Sequence, residues 1–143
     1  MPTWQELAAT SHYQTAVAVR EALRKGNVQD ATQGLEELID ALSRADRRAL
    51  ESHLVRLMQH VIKWKIQPGK RNRSWQSTIA NAREAIAEIQ EDTPSLTDDV
   101  IRRLWESTLR KAHREAEGDM DRAIPPLSLT WDDVFTTAYV IET

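Results

Sequence analysis

Residues 46–75 read DRRALESHLVRLMQHVIKWKIQPGKRNRSW. Leu50, Leu54, Leu57, Met58, Val61 and Trp64 fall at i, i+4, i+7, i+8, i+11 and i+14, the spacing of a helix that buries one stripe. Pro68 closes that helix, because proline drives the residue before it out of helical geometry. Asn72 or Ser74 then offers an N-cap, and Trp75, Ile79, Ala82, Ile86 and Ile89 repeat the helical spacing beyond it. Helices joined by so short a connection pack antiparallel. The stretch therefore predicts the central hairpin of an all-α fold, hinged at Gln67-Pro68-Gly69-Lys70, with Trp64 and Trp75 packed near the hinge.

The same signals recur on either side of this stretch. A first helix is expected over about Ser11–Lys25, stopped by Gly26 and Asn27, with a turn at Trp4–Ala9 ahead of it. A second spans about Gln29–Ser43, with Leu35, Leu38, Ile39 and Leu42 on one face, and Asp46 is expected to cap the third. Ser95-Leu-Thr-Asp98 resembles a capping box for a fifth helix that ends near Glu117, beside Gly118. Thr130 caps a short last helix bearing Trp131, Val134 and Phe135. No alternating run of β-branched residues reads as a strand. The expectation is a single helical-bundle domain over residues 1–143, with five main helices and a short C-terminal one.

Composition narrows the class. A chain of 143 residues that is 41% hydrophobic and 29% charged is too apolar for disorder and too polar for a membrane protein. The N-terminus lacks a basic start followed by an apolar run, so no signal peptide is expected. There is no cysteine, which removes disulfides, thiolate nucleophiles and sulfur-ligated zinc and fits a cytoplasmic location. Charge is unevenly placed. Residues 44–75 carry nine Lys/Arg against two acids, a local +7, so the net −3 of the whole chain leaves −10 elsewhere. Such a dipolar surface attracts an anion or pairs with the acidic helices around it.

His53 and His60 are seven residues apart, about 10.5 Å along a helix, too far to hold one ion together, so hydrogen bonds to carbonyls are the favoured role. Arg48-x4-His53 matches the R-x4–6-H pattern of the HEPN ribonucleases, in which Arg and His cleave RNA without a metal. The match is short and falls on the third helix rather than the last. Lys63, Lys70, Arg71, Arg73 and Ser74 form a basic stretch from the end of one helix to the start of the next, with interleaved tryptophans. That pattern suits phosphate contact, with internal pairing to neighbouring acids as the competing role. Glu36, Glu37 and Asp40 make an acidic face, read as solvated or as a partner of Arg44, Arg47 and Arg48. No catalytic residue, metal site or cofactor is assigned.

RRALESHL, HVIKWKIQPGKRNRSW, TIANAR and DTPSL together resemble the bacterial domain-of-unknown-function family 29, common in cyanobacteria and some proteobacteria. The pattern H-x-x-K-W…Q-P…R-x-R-S-W falls on His60, Lys63, Trp64, Gln67, Pro68, Arg71, Arg73, Ser74 and Trp75. His60, Trp64, Pro68 and Trp75 are its structural signature here. The resemblance implies a compact helical domain and brings no catalytic residues. The chain departs from the pattern at its ends, with Ser128-Leu129 where the family carries Cys-Pro. The leading functional expectation is a non-enzymatic module with a protein partner. The alternatives are a nucleic-acid binder using the 63–75 segment and a metal-independent ribonuclease. A homodimer is also expected to be accessible, through apolar positions such as Val100, Val134 and Ile141.

Overall fold

A computed structural model describes residues 2–142. Among them the chain forms six α-helices and no strand: α1 (Trp4–Thr10), α2 (His12–Arg24), α3 (Val28–Ile66), α4 (Arg73–Asp92), α5 (Asp98–Met120) and α6 (Trp131–Phe135), with a 3-10 turn at Pro68–Lys70. No helix among the described residues is long and apolar enough to cross a membrane. The chain splits into two compact units, Met1–Arg48 and Ala49–Thr143.

In the first unit, Ser11 ends α1 and caps α2, its hydroxyl accepting from the Gln14 N–H. Gly26 at φ 78° makes the left-handed turn that a side chain would oppose, and Asn27 accepts from the Asp30 N–H to start α3. Val19, Ala22 and Ala31 form a small core covered by Trp4. The Trp4 indole donates to Asp30 Oδ1 at 2.9 Å and lies flat over Gly34, where an added Cβ would sit 2.7 Å from the ring. A glycine inside a helix is weak on propensity alone, and here it makes room for the tryptophan.

The second unit carries the main core. Leu50, Leu54, Leu57, Met58, Val61 and Trp64 of α3 are all buried, as the sequence spacing requires. Ile79, Ala82 and Ile86 of α4 and Ile101, Leu104 and Ala112 of α5 join them. Trp105, Trp131 and Phe135 stack together at one end, with Trp105 and Trp131 centroids 5.7 Å apart. The capping box of Thr130 and Asp133 starts α6 as its sequence suggests.

Several boundaries differ from expectation. The helices expected over Gln29–Ser43 and from Asp46 are one helix of 39 residues, α3. Ser43 and Asp46 are the only cap-type residues near the supposed break. With no glycine or proline among residues 35–66, nothing there opposes continuation. The expected turn at Trp4–Ala9 is a full helix with its own capping box. Ser95 does not cap α5: Thr97 is the N-cap and makes no side-chain cap bond. α5 also runs past Gly118 to Met120, and Asp121 supplies the left-handed C-cap. Aspartate tolerates that conformation better than most residues. Leu35, Ile39 and Leu42, expected on one face of their helix, are exposed. Val134 is fully buried, and Val100 and Ile141 are partly buried against the core.

Candidate functional site

The signature residues converge at the C-terminal end of α3 and the start of α4. Trp64 is 5% exposed and Trp75 half-buried. Two clamps of similar design hold them, each a cation over a ring and a hydrogen bond.

In the first clamp, the Lys63 ammonium lies 4.8 Å from the Trp75 ring centroid. It also donates to Asp119 Oδ2 at 3.1 Å, with the lysine side chain only 12% exposed. Gln59 donates to the same carboxylate oxygen at 2.6 Å. Burial pushes the Asp119 carboxyl up, but the hydrogen bonds from Lys63 and Gln59 and the lysine charge outweigh it and hold the group below its ordinary range. This ties α3, α4 and α5 together.

In the second clamp, Arg71 Nε donates to the Trp64 carbonyl at 2.8 Å and its guanidinium lies 5.0 Å from the Trp64 ring centroid. The carbonyl belongs to the last turn of α3, where no intrahelical donor remains. Arg71 thus caps the helix that Pro68 ends. Tyr139 meets the Trp64 ring edge-on at 5.6 Å and donates to the Asp133 carbonyl. Arg83 lies over Tyr139 at 5.5 Å and donates to the Val134 carbonyl at 2.8 Å. Lys65 pairs with Asp133 at 3.0 Å. The Asp133 carboxyl is held low by the Thr130 backbone N–H first, with burial opposing and Lys65 assisting. The Gln76 side chain accepts from the Ile141 N–H, so the C-terminal segment is laced back onto α4.

The five basic-segment candidates therefore separate. Lys63 and Arg71 serve the clamps. Lys70, Arg73 and Ser74 stand exposed. The N-terminus of α4 is already capped: Asn72 Oδ1 accepts from the Trp75 N–H at 2.9 Å, and the Gln76 N–H reaches the Asn72 carbonyl. Of the N–H groups from Ser74 to Gln76, only that of Ser74 is left for an anion.

His60 bonds the Arg56 carbonyl through Nδ1 at 2.9 Å; burial first, opposed by that bond and assisted by the charges of Lys63 and Arg56, lowers its titration below the ordinary range. A carbonyl can only accept, so Nδ1 carries the proton in this bond. His53 is half-buried, while Arg48 is exposed and donates to the Arg44 carbonyl at 3.4 Å. Five residues on a helix place two side chains about 140° apart around the axis, so Arg48 and His53 do not share a face. Among the described residues no three His, Asp or Glu side chains are grouped to hold a metal ion.

Asp119, Asp133, Arg83 and Tyr139 complete the site and were not singled out from the sequence. They lie 50 residues or more from one or another of their partners in the chain, and no local spacing signals those pairings.

These features define a helical protein whose signature residues are held at the α3–α4 hairpin by cation–ring contacts and hydrogen bonds. Residues 10–140 match the family described as Domain of unknown function DUF29, and the chain belongs to that family. No curated protein and no solved structure matches the chain.

Proposed function

We propose that this chain is a non-enzymatic protein-interaction module of the bacterial cytoplasm, and that its contact surface lies on the first half of α3. One observation supports the reading. Val28, Leu35, Ile39 and Leu42 are 62%, 46%, 56% and 42% exposed. With Thr32 they fall at steps of 4, 3, 4 and 3, the seam of a helix that packs against another helix. Burying such side chains gains roughly 1.5–3 kcal/mol for each one fully removed from water, so a partner helix finds a ready surface there. The absence of cysteine fits a reducing compartment.

A nucleic-acid role through Lys70 and Arg73 is the second reading, favoured by their exposure. Capture from a lysate of the source cells separates the two. The baits are wild type, Leu35→Lys/Ile39→Lys and Lys70→Glu/Arg73→Glu, each confirmed helical by circular dichroism. The first reading predicts a stoichiometric protein held by wild type and by the Lys70/Arg73 variant, and lost from the Leu35/Ile39 variant. Nucleic acid in the wild-type eluate that disappears with Lys70→Glu/Arg73→Glu would move the function to the second reading.

A further inference from the structure

From the stripe's charge we infer that the occupant of the α3 face is a basic amphipathic helix of another protein; this rests on the interaction reading above. Residues 28–43, VQDATQGLEELIDALS, hold four acids (Asp30, Glu36, Glu37 and Asp40) and no Lys or Arg. Asp30 is engaged by Trp4. Glu36 and Asp40 are both exposed and one turn apart. At 100° per residue, Glu36 stands about 90° from the centre of the apolar seam and Asp40 about 130°, both on the same side. Glu36 therefore borders the stripe, and Asp40 stands one turn further along on the same side.

The opposite edge is formed by Ala31, which is buried, and Leu38, which is half-buried. These face the helix's own unit, whose small core holds Ala31 against α2. The free edge is thus acidic and the closed edge apolar. Neither Glu36 nor Asp40 forms an ion pair among the described residues, although Arg44 follows Asp40 at i+4. A helix lying along the seam brings its own flanking residues over this edge, and Lys or Arg there meets two unpaired carboxylates. Charges that flank a helical seam choose between partners more than they add affinity. A second copy using the same face sets Glu36 and Asp40 against an equally acidic segment, whichever way it runs, and like charges oppose that pairing.

The test titrates purified full-length protein with two synthetic 21-residue amphipathic helices of identical Leu seam, one flanked by Lys and Arg, the other by Glu. Fluorescence anisotropy reads both at low and high salt. The expected result is binding of the basic peptide roughly fivefold tighter than the acidic one, from two exposed charge contacts. That preference shrinks at high salt and is removed by Glu36→Lys/Asp40→Lys. Leu35→Ser/Ile39→Ser, checked for unchanged helicity, loses both peptides.

Equal binding of the two peptides, or a preference untouched by Glu36→Lys/Asp40→Lys, overturns the basic partner and leaves the interaction reading standing. Sedimentation of wild type as a dimer that Leu35→Ser/Ile39→Ser dissociates overturns it in favour of a second copy. A monomer that binds neither peptide also overturns it, and the lysate capture then decides separately whether the interaction reading survives.

Discussion

Replacing Trp64 with alanine removes the ring on which the hinge is built, and the cost follows from its surroundings. The side chain is 5% exposed, meets Tyr139 edge-on and lies under Arg71. Truncating a buried tryptophan costs about 3–5 kcal/mol. For a chain of this size each kcal/mol moves the midpoint by roughly 4 °C. Trp64→Ala should therefore lower the melting temperature by roughly 16 °C. Trp75 carries the same ring in the same signature, but is only half-buried. Its truncation should cost about half as much, roughly 8 °C. The assay is a reversible thermal melt followed by circular dichroism, with both variants beside wild type. The comparison is the sensitive part, since the chemistry removed is identical and only the burial differs. Equal shifts, or a larger one for Trp75→Ala, would refute the assignment of Trp64 as the central ring of the hinge.

Other expectations follow from the same geometry. Asp119→Ala leaves the mostly buried Lys63 ammonium without its carboxylate and should cost about 1 kcal/mol, because the aspartate itself is partly exposed; Lys70→Ala should stay within about 0.5 kcal/mol, and denaturant titration compares the two. Gly34→Ala should destabilise despite alanine's better helix propensity, by about 1–3 kcal/mol, because the new methyl group meets the Trp4 ring; faster proteolysis within residues 4–10 would report the displaced α1. His60 titrates below its ordinary value in the folded chain, so the unfolded chain binds the proton more readily and stability should fall as pH drops through about 6.5. His60→Gln should flatten that part of the stability profile. Asp119 and Asp133 are both held low, so their contributions are present above about pH 4 and are lost as pH falls through their folded-state values; Asp119→Asn should shift the acid unfolding midpoint.

The hairpin was legible in the sequence because three independent local signals agree on it. The apolar stripe from Leu50 to Trp64, the stop at Pro68 and the cap at Asn72 each need only a few neighbouring residues to be read. α6 was legible for the same reason, through Thr130 and the aromatics that follow. The break placed near Asp46 failed because a cap-type residue is a weak signal by itself. Asp46 starts a helix only if the residues before it leave one, and Leu42 to Ala45 do not. The apolar face of residues 35–42 was readable as a face, but not as an exposed one: periodicity shows which side of a helix is apolar and says nothing of what covers it. The basic segment shows the same limit. Spacing placed Lys63, Arg71 and Arg73 together, yet whether each meets solvent or a carboxylate depends on Asp119 and on a backbone carbonyl that only the fold brings near.

The distinction between a structural basic segment and an interacting α3 face is tested most directly by amide hydrogen exchange on the captured complex, compared with the free protein. The account predicts added protection across Val28–Leu42 and unchanged exchange across Lys70–Gln76. Protection gained across Lys70–Gln76, with Val28–Leu42 unaltered, would contradict it.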